Sequence, residues 1–101
     1  MAIRSVEVRS RTGTYRVLYG QGLVRRASGE IKELGPHTGV FLLTSPHVAR
    51  HWRAKLEAGL AGTNRRATIL FDDRERAKNM ATVEKLCREL VRAGADRRAV
   101  L

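Results

Sequence analysis

At 101 residues the chain is sized for one domain, residues 1–101, with a modest core. Its 43% apolar and 30% charged residues describe a globular chain rather than a disordered one. No apolar run approaches the length that crosses a bilayer, and the start, Met1-Ala2-Ile3-Arg4-Ser5, lacks the apolar stretch of a signal peptide. The formal net charge is +10, carried by sixteen arginines and four lysines. Such a field attracts phosphate, but the arginines are spread along the chain, paired at Arg25-Arg26, Arg65-Arg66 and Arg97-Arg98 near element ends, with few aromatics beside them. An anionic small ligand suits that field; neither a nucleic acid nor a membrane is the expected partner. The single cysteine, Cys87, excludes an intrachain disulfide and fits a reducing compartment, so the cytoplasm is the expected location. It falls on an apolar helix stripe and reads as a buried small hydrophobe rather than a nucleophile.

Residues 3–9 alternate, Ile3, Val6 and Val8 against Arg4, Glu7 and Arg9. Residues 14–19 alternate again, with Tyr15, Val17 and Tyr19 on one face, and Ser10-Arg11-Thr12-Gly13 between the two runs predicts a hairpin turn. Gly20-Gln21-Gly22 breaks the second strand. A helix is expected next, with Leu23, Ala27, Ile31 and Leu34 on one stripe, stopped by Gly35-Pro36. Val40-Phe41-Leu42-Leu43 is a continuous apolar run, as in a strand covered on both faces. Ser45 then caps a second helix and Pro46 takes its first position. That helix runs through Val48, Trp52, Leu56 and Leu60, with Gly59 and Gly62 loosening its end.

Thr68-Ile69-Leu70-Phe71 predicts a further strand, followed by a charged loop, Asp72 to Lys78, and a helix from about Asn79 to Ala93. Met80, Val83, Leu86, Cys87, Leu90 and Val91 form its stripe, the pattern of a helix with one buried face. Gly94 closes it, and Ala99-Val100-Leu101 turns apolar as a new strand would. The order β-β-α-β-α-β-α, with a strand beginning at the end, implies an α/β fold: a mostly parallel sheet with an N-terminal β-hairpin and helices on both faces. Because a strand is just starting where the chain stops, a piece of a longer protein is expected.

No complete catalytic constellation is visible. His47 and His51 stand four apart on one helix face, but Val48 follows the first histidine where a zincin pattern needs glutamate. Two ligands do not close a zinc site, so exposed histidines are the plainer reading. Glu75 and Lys78 precede a helix at the carboxyl end of a strand, where such a topology opens a ligand crevice. Glutamate there accepts hydrogen bonds from ribose hydroxyls, and lysine pairs with phosphate or carbonyl oxygens. A solvated charge cluster at the helix dipole is the equal alternative. Thr44 and Ser45 hold a second such position: their hydroxyls meet a ribose, or Ser45 is only a cap.

Several stretches together resemble 3-dehydroquinate synthases. Tyr15-Arg16-Val17-Leu18-Tyr19-Gly20-Gln21-Gly22-Leu23 is similar to the family's passage from hairpin to helix, and Val40 to Ser45 to its next strand, which normally ends in Thr-Asp. Phe71-Asp72-Asp73-Arg74-Glu75-Arg76-Ala77-Lys78 and the following helix resemble its Asp-Gly-Glu-x-x-Lys loop; Ala93 to Leu101 looks like the approach to its glycine-rich NAD loop.

The resemblance implies a Rossmann-like NAD-binding domain of an enzyme that converts 3-deoxy-arabino-heptulosonate 7-phosphate to 3-dehydroquinate and phosphate, in the shikimate route to aromatic amino acids. It implies NAD, a divalent metal (zinc or cobalt) held by residues outside this stretch, a phosphorylated sugar acid as substrate, and a homodimer for the full-length protein. By that analogy Asp73, Arg74, Glu75, Arg76, Ala77 and Lys78 line the NAD site, with Glu75 and Lys78 as direct contacts. Thr44, Ser45 and Pro46 lie near the adenosine end. There are two departures: Ser45 replaces the usual aspartate, a weaker acceptor that tolerates phosphate, and Arg74 replaces the loop glycine. Related sugar-phosphate cyclases and glycerol-dehydrogenase-like proteins share the architecture, and a small basic nucleic-acid-binding module is the rival from another class. The stretch alone is expected to be inactive.

Overall fold

The computed structural model describes residues 2–101. Two antiparallel strands, β1 (Arg4–Ser10) and β2 (Gly13–Tyr19), form a hairpin that is a sheet of its own. Its register pairs Val6 with Val17 and Val8 with Tyr15, so these residues and Tyr19 share one face. Ile3 lies ahead of the strand and is not part of that alternation. Arg11-Thr12 makes the turn, and the Ser10 hydroxyl donates to the Gly13 carbonyl at 2.9 Å.

The expected first helix is divided. Leu23–Arg26 is a 3-10 turn, and α1 follows at Ala27–Glu33. Gly22 offers no side chain to cap the start, and the Arg25 N–H bonds back to the Gly22 carbonyl at 3.1 Å, the tighter i→i+3 pattern that uncapped ends adopt. Leu34 ends up beyond the helix and exposed.

The second sheet is parallel, in the order β4-β3-β5, with β3 (Gly39–Thr44) central between β4 (Arg65–Leu70) and the short β5 (Ala99–Val100). Val40 and Phe41 point to opposite faces, yet are 2% and 1% exposed. That is why the run is continuously apolar: a central parallel strand is covered on both sides. β3 connects to β4 on one side through α2 (Pro46–Gly59), and β4 crosses to the far side of β3 through α3 (Met80–Arg92) to reach β5. Right-handed connections running in opposite directions along a sheet place their helices on opposite faces. The fold is therefore the mixed α/β arrangement expected, with its hairpin, its parallel sheet and helices on both faces.

The capping signals match the observed ends. The Ser45 hydroxyl accepts from the Val48 N–H at 3.3 Å with Pro46 in the first turn, and the Asn79 side chain accepts from the Thr82 N–H at 3.0 Å. At the end of α3, Gly94 has φ +95°, its N–H bonds to Val91, and Ala95 N–H bonds to Leu90 at 2.9 Å, a Schellman closure.

Two expectations are corrected. Gly59 does not loosen the end of α2: it is buried, and a Cβ built there would lie 2.2 Å from the Val24 carbonyl oxygen. Its missing side chain lets α2 lie directly on the 3-10 turn. The stripe of α3 is not buried either. No residue of α3 is buried; Met80 and Val91 are 78% and 70% exposed, and Val83 and Cys87 are exposed as well. Leu86 and Leu90 are partly covered, but a three-stranded sheet whose last strand has two residues is too narrow to cover the whole stripe. Cys87 is thus an exposed thiol rather than a buried hydrophobe.

Buried apolar side chains are few: Val40, Phe41, Leu60 and Ile69. The accessible surface is 7829 Å², against about 5,700 Å² for a compact monomer of this mass. The surplus lies in part on the apolar faces of α3 and of the hairpin, where Val6, Tyr15, Val17 and Tyr19 are exposed. Among the described residues no helix is long and apolar enough to cross a membrane.

Candidate functional site

The carboxyl ends of β3 and β4 lie side by side, joined where the Phe71 N–H donates to the Thr44 carbonyl at 3.0 Å. Beyond that junction the chain leaves β3 into the start of α2 and leaves β4 into the Asp72–Lys78 loop. A crevice of about 470 Å³ opens between them, large enough for part of a nucleotide. Pro46, His47 and Arg50 form one wall, from the first turns of α2. Leu70 to Arg74 form the floor and rim, and Lys85 reaches in from α3.

The loop is held by Arg74 folding back onto Asp72. The Arg74 guanidinium donates to the carboxylate through Nε at 2.8 Å and Nη2 at 2.6 Å, and its backbone N–H adds a third bond at 3.0 Å. These donors hold the Asp72 carboxyl well below the usual carboxylate range. Arg74 sits at φ −66° and ψ 150°, ordinary extended backbone, so the turn does not require the glycine that the family's loop carries.

The sequence-derived residues do not gather in a single cleft. Pro46, Asp73 and Arg74 line the crevice. Ala77 and Lys78 line a neighbouring, mainly apolar pocket of about 490 Å³, together with Phe71, Met80, Val83 and Leu86. Glu75 and Arg76 lie in the 3-10 turn Glu75–Ala77 and line neither. Glu75 faces solvent and pairs with Lys78 at 2.9 Å, so the two residues expected to grip a ligand grip each other. An exposed pair of this kind is worth ~0–1 kcal/mol, so a ligand can open it at little cost. Thr44 and Ser45 are buried beneath the crevice, 7% and 3% exposed, with the Ser45 hydroxyl engaged as the cap of α2.

Arg50 and Lys85 were not singled out by the sequence reading. Arg50 stands four residues after Pro46, one helical turn in and on the same face, so a helix starting at a strand's carboxyl end carried that signal. Lys85 could not be placed without knowing that α3 packs beside β4.

The metal ions the resemblance implies find no fit in this stretch. Among the described residues no group of three or more His, Cys, Asp or Glu side chains could hold one. His47 and His51 stack edge to face with ring centroids 5.5 Å apart, without a third ligand.

No family model matches the chain. Individual relatives do. It is 35% identical over 98 residues to the 3-dehydroquinate synthase of Koribacter versatilis, covering 95% of this chain and 27% of that protein. It is 32% identical over 94 residues to the 3-dehydroquinate synthase of Nitrobacter winogradskyi, covering 92% and 24%, and 31% identical over 97 residues to that of Listeria innocua, covering 95% and 27%. The chain thus spans about a quarter of the length of the curated relatives it matches, and the match includes the β3 end, the Asp72–Lys78 loop and α3. Over nearly its whole length, then, the chain is homologous to one stretch of the 3-dehydroquinate synthases.

Proposed function

We propose that the chain is the NAD-binding portion of a 3-dehydroquinate synthase, a lyase of the shikimate pathway that turns 3-deoxy-arabino-heptulosonate 7-phosphate into 3-dehydroquinate and phosphate. The observation that carries this reading is the strand-end crevice. It lies where parallel α/β folds bind nucleotides, and its rim, Asp72 to Arg74, is the start of the loop that is similar to the family's acid-to-lysine motif, with Glu75 and Lys78 just beyond it. NAD, when bound, supplies reversible hydride acceptance. The chain's own part is binding and orientation: Glu75 accepts from ribose hydroxyls, Lys78 meets the pyrophosphate, and Pro46 in the wall and Phe71 in the floor exclude water from the crevice. The divalent metal, zinc or cobalt, and most contacts to the phosphorylated sugar acid fall to residues outside this stretch, and the full-length protein works as a homodimer in the cytoplasm.

Calorimetric titration of the 101-residue chain with NAD tests this. Saturable binding is expected, weakened about tenfold or more by Glu75→Gln or Lys78→Ala, because a hydrogen bond to a charged group is worth ~1.5–3 kcal/mol. Absent binding, or binding indifferent to both variants, defeats the proposal. With substrate, NAD and zinc supplied, phosphate release should stay at blank level.

A further inference from the structure

Cations surround the crevice. Arg50 enters from α2 and Lys85 from α3, helices on opposite faces of the sheet, and neither has an ion-pair partner among the described residues. Unpaired cations are common on this chain; these two are set apart by lining one concave site. The acids do not balance them. Asp72 is spent on Arg74 through three hydrogen bonds, which leaves Asp73 as the one carboxylate of the crevice without a partner. At the end of β3, where a carboxylate would take up a ribose diol, stands Ser45, buried and committed to the Val48 N–H. At the end of β3 the site therefore offers no carboxylate, and two unpartnered cations outnumber Asp73 across the crevice, a balance that suits a dianion. Arginine offers a planar fork to phosphate oxygens and lysine a point charge.

We infer that the crevice is built for a dinucleotide carrying a phosphate on its adenosine ribose, so that NADP is bound in preference to NAD, with Arg50 and Lys85 as the phosphate-binding residues. This rests on the dinucleotide reading above and specifies its ligand. Arg50 supplies the forked contact from the α2 wall, and Lys85 neutralises the second charge from across the floor.

The experiment compares NADP and NAD by calorimetric titration of the full chain at physiological salt. Adenosine 2′,5′-bisphosphate and adenosine 3′,5′-bisphosphate serve as isomeric probes of equal charge. NADP is expected to bind at least tenfold more tightly than NAD, and the 2′-phosphate isomer more tightly than the 3′. Arg50→Ala and Lys85→Ala should each weaken NADP more than NAD and so erase most of the preference. Arg11→Ala, which removes the same charge from the hairpin turn, should leave the preference intact. Equal or tighter binding of NAD overturns this inference while sparing the dinucleotide reading. A preference lost equally in Arg11→Ala overturns it too, because net charge would then be the cause. Failure of every ligand to bind overturns both.

Discussion

Gly59 and Gly29 are both helical glycines, and the same change to alanine should move the protein in opposite directions. At Gly59 the new Cβ would lie 2.2 Å from the Val24 carbonyl oxygen and 3.1 Å from its carbon, both backbone atoms. Carbon and carbonyl oxygen settle at about 3.3 Å or more, so α2 and the 3-10 turn must part by roughly 1 Å. Rotation cannot relieve the contact, as it could for the end of a flexible side chain. A gap of that size forfeits about a quarter to a half of each dispersion contact across the interface, and overpacking a close-fitted site costs ~1–3 kcal/mol. Alanine returns at most ~1 kcal/mol by restricting the unfolded chain. The net loss is about 1–2 kcal/mol, lowering the melting midpoint by roughly 5–15 °C for a chain of this size. At Gly29, inside α1, a Cβ meets nothing within 4 Å and φ is unexceptional. Gly29→Ala should therefore stabilise by ~0.4–1 kcal/mol. Thermal unfolding followed by circular dichroism reads both variants. Shifts of the same sign, or a Gly59→Ala midpoint at or above that of the parent, would refute the contact between α2 and the turn.

Acid should destabilise the fold through three carboxylates. Glu57 is held below its usual range chiefly by Arg53 and then Thr68, Asp96 chiefly by the Thr38 hydroxyl and then the Arg98 N–H, and Asp72 by Arg74. A depressed folded pKa means the unfolded chain binds protons first. The stabilisation is therefore complete above the unfolded value, about 4, and is lost as pH falls through it toward the lower folded values. The melting midpoint should be level from pH 7 to about 5 and decline below about 4, with a shallower decline in Asp96→Asn; a midpoint that holds or rises in acid contradicts this. On α3, Met80→Gln and Val91→Gln should change stability by no more than ~0.5 kcal/mol in denaturant melts, because both side chains are already in water. A loss of ~2 kcal/mol or more would mean that they are packed after all.

Local chemistry was legible in the sequence wherever a few adjacent residues decide the outcome. Ser45-Pro46, Asn79 and Gly94 mark helix ends because capping is settled within one turn, and the Val40–Leu43 run marks a central strand because both of its faces must be apolar. What depends on distant neighbours was not legible. A stripe at helical spacing says that Met80, Val83, Cys87 and Val91 share a face, not that something covers it. Gly59 reads as a weak helix end unless one knows that the Val24 backbone is to lie against it. The same division runs through the site. The Glu75–Lys78 loop at a strand's carboxyl end was visible from order and spacing, whereas the approach of Lys85 depends on how α3 packs beside β4, a contact between elements rather than a pattern within one.

The uncovered face of α3 bears on the site directly. Lys78 belongs to the Asp72–Lys78 loop, and Met80 and Val83 belong to the exposed stripe, yet all three line one apolar pocket. Chain laid over that stripe would roof the pocket and fix the Lys78 stem along its wall, leaving the ammonium to face a ligand rather than Glu75. Part of the surplus surface, about 2,100 Å² over a compact monomer for the whole chain, lies on this stripe. If the chain binds a dinucleotide as proposed, a protein in which α3 is covered should hold it more tightly, because the Lys78 stem would already be placed.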